Sequence, residues 1–172
     1  GIDVTAHKAA LKQNMKTVAV VAHGLDRVYP SVHSNLAREI EELGGLLTEF
    51  TAGTKPDREN FPKRNRIVAG LSEATVVVEA AKRGGALITA ELASSYNRDV
   101  FAVPGRLTDK FSEGCNHLIK TNQASLIQSA KDIEYLLGWQ SPKEAKRKAV
   151  QKPIFVDLDP QETKIVEVLQ AN

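Results

Sequence analysis

Short apolar runs that alternate with helical patterns are the feature that most constrains the fold of this chain. The runs occupy residues 17–22, 46–50, 74–80, 99–105 and 124–128, and each has the length of a strand. Apolar residues at three- and four-residue spacing fill the segments between them. Strands that alternate with helices build a mostly parallel sheet with helices on both faces. The sequence therefore predicts an α/β fold with a doubly wound, Rossmann-like sheet.

Helices are predicted around these strands at residues 3–13, 36–43, 62–71, 86–96 and 113–121, and after Ser129. Aromatic residues make up only 5% of the chain, so the core must consist mainly of Val, Ile, Leu and Ala. This composition favours a layered α/β fold over a small barrel. Ligands of parallel sheets bind outside the carboxyl ends of the strands. A binding site is therefore expected in the loops that begin at His23, Thr51, Glu79 and Pro104.

Changes in charge and periodicity divide the chain into three predicted parts. Residues 1–138 carry the strand and helix patterns of the Rossmann-like domain. Residues 139–157 are charged and lack apolar periodicity, which indicates a linker. Helical periodicity resumes at residues 158–172, where Asp159 and Pro160 form a typical helix start. One helix cannot bury its apolar stripe alone, so this last part is predicted to begin a small second domain.

The composition argues against several kinds of site. Cys115 is the only cysteine, which excludes an intrachain disulfide and favours a reducing compartment, the cytoplasm. One cysteine and four scattered histidines do not form a metal-ligand set. The chain has neither a GxGxxG fingerprint nor a P-loop motif, so no nucleotide cofactor is expected. No run approaches the roughly 20 apolar residues that span a bilayer, so no membrane partner is expected.

The segment FPKRNR, residues 61–66, places an aromatic residue and three cations where a helix begins. Cations oppose the positive end of a helix dipole, so a bound anion explains them better, because free N–H groups and guanidinium groups then converge on it. Phe61 is predicted to stack on a nucleobase. The predicted phosphate contacts are Arg58, Lys63, Arg64 and Arg66. The alternative is that the two FPKRNR arginines pair with carboxylates and that Phe61 is a core residue.

Two further turns are candidates for the same anion site. Gly84 and Gly85 follow the third strand, and paired glycines let a phosphate approach the backbone while the next N–H groups cradle it. The alternative is a tight turn that needs positive φ. Ser112 opens the segment SEGCNH and is a predicted helix N-cap whose turn supplies further N–H groups.

Three side chains of catalytic type are not assigned a catalytic role. His23 follows the first strand, but the sequence offers it neither a nucleophile nor an orienting partner. Cys115 and His117 are two residues apart on a predicted helix, so they point in different directions and do not form a catalytic pair.

Six motifs occur in a fixed order along residues 1–138. They are GIDVTAH (1–7), GLDRVYP (24–30), NFPKRNRIVAGLS (60–72), VVEAAKRGGALITAELA (77–93), DVFAVPG (99–105) and SEGCNHLI (112–119). Together they resemble the motif series of the bacterial DNA-processing protein family DprA, also called Smf. The resemblance runs without large gaps.

The resemblance implies a set of DNA-binding residues. In and before the family's FPxRNR motif these are Arg58, Phe61, Arg64, Asn65 and Arg66. In its glycine turn and its S-x-G-C-N segment they are Gly84, Gly85, Thr89, Ser112, Gly114 and Asn116.

The resemblance also implies a function. Family members bind single-stranded DNA rather than a dinucleotide, act in natural transformation, protect incoming strands and load the RecA recombinase. They form homodimers, here expected through residues 117–138, and have no established catalytic activity. A first strand with a Gly-Ser-Arg loop is expected upstream of Gly1, and a winged helix after residue 158.

The alternative is an enzyme of a related Rossmann branch, the nucleoside-monophosphate phosphoribohydrolases of the lysine-decarboxylase-like family. Gly84, Gly85 and Glu91 fit the PGGxGTxxE motif of those enzymes. However, Leu87 and Ile88 replace its second glycine and its threonine, which weakens the case for phosphate binding and catalysis.

Overall fold

The computed structural model describes residues 1–139 and 161–164, so nearly all of the predicted linker and most of the predicted last helix lie outside the described residues. Residues 161–164 are helical. A compact unit, Gly1–Ile133, holds all the described strands, and a second unit begins at Glu134. The domain boundaries drawn from the sequence stay predictions.

Helices and strands alternate along the chain as the sequence predicts. The strands are β1 (Val18–Val20), β2 (Gly45–Leu47), β3 (Ala74–Val77), β4 (Asp99–Ala102) and β5 (Ser125–Leu126). The helices are α1 (Ile2–Lys12), α2 (Ser34–Leu43), α3 (Asn60–Leu71), α4 (Gly85–Ser95), α5 (Glu113–Lys120) and α6 (Ala130–Leu136), and a 3-10 turn, Ser31–His33, precedes α2. Each strand is shorter than its apolar run, because the run continues beyond the paired residues.

All strand pairs are parallel, which confirms the predicted α/β class, but the described strands form two sheets instead of one. β1 pairs with β2, and β3, β4 and β5 pair in that order. The Val21 N–H donates to the Leu47 carbonyl of β2, so the Val20 carbonyl, one residue earlier, points to the opposite edge. There it accepts a hydrogen bond from the Arg64 side chain on α3 instead of one from a strand.

Small residues fill the core of the three-stranded sheet and its helices. The buried cluster consists of Ala69, Val77, Ala80, Ala90, Ala93, Val100, Ala102, Cys115, Leu118 and Ala124. Its alanines on α3 and α4 let these two helices pack closely against each other. The low aromatic content of the chain thus corresponds to a core built from small and β-branched side chains.

The start of α5 is fastened to the segment that follows β3. The Gly114 N–H donates to the Ala80 carbonyl (2.8 Å), and the Ala80 N–H donates to the Phe111 carbonyl (2.9 Å). A Cβ on Gly114 would lie 2.6 Å from the Ala81 carbonyl oxygen and 2.8 Å from the Ala80 Cβ. Position 114 therefore requires glycine because the two backbones approach each other closely.

We expect Gly114→Ala to lower the free energy of unfolding by about 1–3 kcal/mol, because the added methyl group overpacks this contact. Gly85→Ala is the matched control: Gly85 also lies in the first turn of a helix, but a Cβ there meets no atom within 4 Å. Urea unfolding followed by circular dichroism measures both variants. Equal destabilisation of the two would contradict the packing role of Gly114.

Candidate nucleic-acid interface

The start of α3 lies across the carboxyl ends of β1 and β2. Arg64 donates from Nη1 to the carbonyl of Val20, the last residue of β1. Arg66 pairs through Nη2 with Glu49, two residues beyond the end of β2. The helix that carries FPKRNR is therefore at the strand ends where the sequence placed it.

Arg64 is held by three neighbours. Besides its bond to Val20, its Nε donates to Oδ1 of Asn65 (3.0 Å), and its guanidinium carbon lies 5.9 Å from the centre of the Phe61 ring. Burial lowers the pKa of Arg64, and the negative charge of Asp3 on α1 opposes that shift. An arginine stays protonated at neutral pH despite such a shift. The site thus contains a half-buried cation whose orientation is fixed before any ligand binds.

In the alternative interpretation the two arginines pair with carboxylates and Phe61 is a core residue. Arg66 fits this interpretation, whereas Arg64 and Phe61 do not. The Arg66 side chain is 52% exposed and forms an ion pair with the Glu49 carboxylate. Arg64 bonds to a backbone carbonyl and an amide rather than to a carboxylate, and Phe61 is half-buried beside it. An exposed ion pair contributes about 0–1 kcal/mol, so a phosphate is able to replace Glu49 at little cost.

The remaining two predicted phosphate contacts are open to solvent. Arg58 precedes α3 and Lys63 lies in its first turn, and both are exposed. Neither side chain forms an ion pair or a hydrogen bond within residues 1–139 and 161–164. The start of α3 therefore combines fixed and free cations.

The glycine turn before α4 is extended and uncrowded. Gly84 has φ 173°, which any residue can adopt, so the alternative of a turn that needs positive φ is wrong. A Cβ on Gly84 or Gly85 would meet no atom within 4 Å. Protein packing thus gives no reason for glycine at either position, and the space in front of the turn is accessible to a ligand. Thr89 donates its hydroxyl to the Gly85 carbonyl (3.1 Å) within the same helix.

The segment around Ser112 uses its polar groups internally, which corrects the expectation that its N–H groups are free for an anion. The Ser112 N–H donates to the Asp109 carbonyl and its hydroxyl to the Asp109 carboxylate (3.0 and 2.7 Å). The Gly114 N–H is taken by Ala80, and the Asn116 N–H by Ser112. The Asn116 side chain bonds both the N–H and the carbonyl of Gly105, each at 3.1 Å. These residues fix the conformation of the loop after β4.

The surroundings of His23, and of Cys115 and His117, fit the interpretation that they have no catalytic role. His23 is buried, and its Nδ1 lies 2.9 Å from the Gly24 carbonyl. Cys115 is fully buried, whereas His117 is exposed, so they do not form a pair. Burial raises the pKa of the Cys115 thiol, which makes it a poor nucleophile.

A groove of about 730 Å³ opens at the other end of the three-stranded sheet. It is lined by the first residues of β4 and β5, Asp99 and Ser125, and by Asn97 and Asn122 after α4 and α5. These are the amino ends of the strands, opposite to the edge where parallel sheets bind ligands. None of the predicted site residues lines it.

Among the described residues, no group of three His, Cys, Asp or Glu side chains is arranged to hold a metal ion. No helix in that part of the chain is both long and apolar enough to cross a membrane.

The chain has a parallel α/β core, and an arginine-bearing helix start lies across the ends of its strands. These features define a Rossmann-like protein with positive charge at the carboxyl ends of its strands. The chain belongs to the family of DNA recombination-mediator protein A, whose model matches residues 1–138. It is 45% identical over 138 residues to Protein Smf of Synechocystis sp., covering 80% of the chain and 34% of that relative. It is also 45% identical over 133 residues to DNA processing protein DprA of Streptococcus pneumoniae, covering 77% and 47%. The chain thus spans about a third to a half of these relatives.

Two solved structures share the fold. The X-ray structure of DprA from Streptococcus pneumoniae aligns with a TM-score of 0.72 and 43% identity, over 78% of this chain and 47% of that one. A DprA structure from Helicobacter pylori, described by its single-stranded DNA binding mode, aligns with a TM-score of 0.67 and 25% identity, over 78% and 71%.

We expect Cys115 to resist a disulfide reagent such as DTNB in the folded chain at mildly alkaline pH, because the thiol is fully buried and its pKa is raised. In concentrated guanidinium chloride it should react as fast as free glutathione, which serves as the standard. Rapid labelling of the folded chain would show that the thiol is accessible and reactive.

Proposed function

We propose that the carboxyl ends of the strands, with the start of α3, bind single-stranded DNA. Arg58, Lys63, Arg64 and Arg66 contact phosphates, and Phe61 stacks on a base or shapes the floor beneath it. A strand lying along this edge also passes the open turn at Gly84 and Gly85. Binding through phosphates and ring faces is tolerant of base sequence and falls steeply with salt.

The single observation that carries this proposal is the arrangement of Arg64. Its guanidinium is oriented by Val20, Asn65 and Phe61, and two of its donor atoms are engaged. The fork of an arginine has five N–H donors, so others remain for a phosphate without any loss of the existing bonds. These contacts already restrict the Arg64 side chain, so a ligand that binds here loses little affinity to the conformational entropy of that side chain.

The comparisons support the proposal and its wider setting. The Helicobacter pylori structure is of a DprA studied for its single-stranded DNA binding. We infer by analogy that this chain acts in DNA uptake and natural transformation, protects single strands and loads the RecA recombinase. A homodimer is part of this proposal; of its expected contact residues, Leu118 is buried in the core and Leu136 is exposed.

We propose no catalytic activity. Cys115 and His23 are both buried, so neither is available as a nucleophile or base at this edge. No observation on the fold or in the comparisons favours the phosphoribohydrolase alternative.

We expect Lys63→Ala and Arg66→Ala each to weaken binding to a labelled oligo-dT and to reduce the slope of log affinity against log salt by about 0.7, the value of one phosphate contact on a single strand. Fluorescence anisotropy across a salt series measures both quantities. Arg38→Ala, which removes an exposed cation from α2, is the control and should change neither. Unchanged affinity and slope in both α3 variants would remove this site from consideration.

We expect Glu49→Gln to strengthen oligo-dT binding by up to about fivefold, because the phosphate no longer competes with an internal carboxylate for Arg66. Glu39→Gln on α2 is the matched control, since it removes the same charge from an exposed position that is not paired with Arg66. Both variants are titrated under the same salt conditions. An equal gain in the two would mean that only net charge matters and that the Arg66–Glu49 pair is not displaced.

A further inference from the structure

The loop between β4 and α5, residues 103–112, holds an aromatic side chain in an exposed position. Phe111 is 57% exposed, although most Phe side chains in folded proteins are buried. In the same loop Leu107 is 91% exposed. The sequence motifs do not account for Phe111, because it lies outside both the DVFAVPG and SEGCNHLI segments.

The backbone on both sides of Phe111 is fixed. Its carbonyl accepts from the Ala80 N–H (2.9 Å), and its own N–H donates to the Asp109 carboxylate (3.1 Å). The Ser112 hydroxyl donates to the other Asp109 oxygen, and Asn116 clamps Gly105 at the start of the loop. The exposed ring therefore projects from an ordered loop, so ordering costs little when a ligand stacks on it.

The charges around the ring favour an anionic ligand only slightly. Arg106 and Lys110 are exposed and have no ion pair or hydrogen bond among the described side chains. Both carboxylate oxygens of Asp109 are engaged by the loop itself. Glu113 follows Phe111 by two residues, and Glu79 precedes Ala80, whose N–H bonds to the Phe111 carbonyl. Stacking on the ring, more than charge, is therefore expected to supply the affinity of this loop.

Like the proposed DNA site, the loop 103–112 lies at the carboxyl end of a parallel strand. Ala80, to which Phe111 is bonded, follows β3 and precedes the open glycine turn at Gly84 and Gly85. Lys82 and Arg83, exposed between them, also lack side-chain partners within the described ranges. The hydrogen bond to Ala80, four residues before Gly84, thus places the Phe111 backbone close to the segment that leads into the glycine turn.

We propose that Phe111 is a second base-stacking position and that Arg106 and Lys110 hold the phosphates beside the stacked base. This inference rests on the proposed function and extends it from the start of α3 to the loop 103–112. The ligand is single-stranded DNA, and the loop recognises the face of a base rather than its edge, so it does not select a sequence.

The test compares two probes on the 172-residue chain: labelled oligo-dT and an abasic deoxyribose-phosphate oligomer of equal length. Phe111→Ala should weaken oligo-dT binding about five- to hundredfold while leaving abasic binding and the salt slope nearly unchanged. Phe111→Tyr keeps the ring and should restore most of the affinity. Arg106→Ala combined with Lys110→Ala should weaken both probes and reduce the salt slope. Tyr96→Ala, which removes another exposed ring at the end of α4, should have no effect.

Tryptophan fluorescence measures stacking at position 111 directly. Trp139 is the only tryptophan of the chain, so Phe111→Trp in a Trp139→Phe background places the single indole in the loop. Oligo-dT should quench this indole and the abasic oligomer should not.

Equal affinity of Phe111→Ala and the wild-type chain for oligo-dT would overturn the inference while leaving the proposed function intact. A variant that binds DNA normally but changes its oligomeric state in light scattering would show that the loop is a protein contact instead. If the wild-type chain binds neither probe, the proposed function fails first and this inference fails with it.

Discussion

The hydrogen bond from the Arg64 guanidinium to the Val20 carbonyl is the contact on which the arrangement of the site depends. It joins the start of α3 to the end of β1 across 44 positions of sequence. A carbonyl left without a partner at a half-buried strand edge would cost about 1–3 kcal/mol. Arg64 satisfies that carbonyl and thereby holds a positive charge at the strand ends. A lysine has no planar fork with which to serve the carbonyl, Asn65 and a phosphate at once.

The two arginines of one motif behave differently because their partners differ. The partner of Arg66 is a carboxylate, whose negative charge competes with that of a phosphate, whereas the partners of Arg64 are neutral groups that use only part of its fork. A phosphate at Arg64 would meet no competing anion among these partners, whereas a phosphate at Arg66 would share the guanidinium with Glu49 or replace it. Glu49 lowers the local positive charge when no ligand is bound, which reduces repulsion among the cations around α3.

The sequence pattern was sufficient to predict the α/β alternation and to place α3 at the strand ends, because strand length and helical spacing are local properties. Contacts between residues far apart in the sequence could not be predicted in this way. Glu49 is 17 positions from Arg66, and no spacing rule connects them. Gly114 looked like an N–H donor to an anion, but the close approach of Ala80 and Ala81 explains it. The split into two sheets was not predicted either, and at the outer edge of β1 the Arg64 side chain, not a neighbouring strand, bonds to the Val20 carbonyl.

The internal bonds of the loop after β4 decide what kind of anion site this edge offers. A helix N-terminus binds phosphate through free N–H groups, but the N–H groups of Ser112, Gly114 and Asn116 are already bonded within the chain. What remains exposed there is side chains: a ring at Phe111 and cations at Arg106 and Lys110. The same chemistry, an aromatic face beside guanidinium groups, recurs at Phe61 and Arg64. Aromatic rings and cations bind the bases and the phosphates of a flexible strand together, whereas a set of backbone N–H groups binds one fixed phosphate group. These side chains therefore suit the polymer that we propose as the ligand better than a mononucleotide.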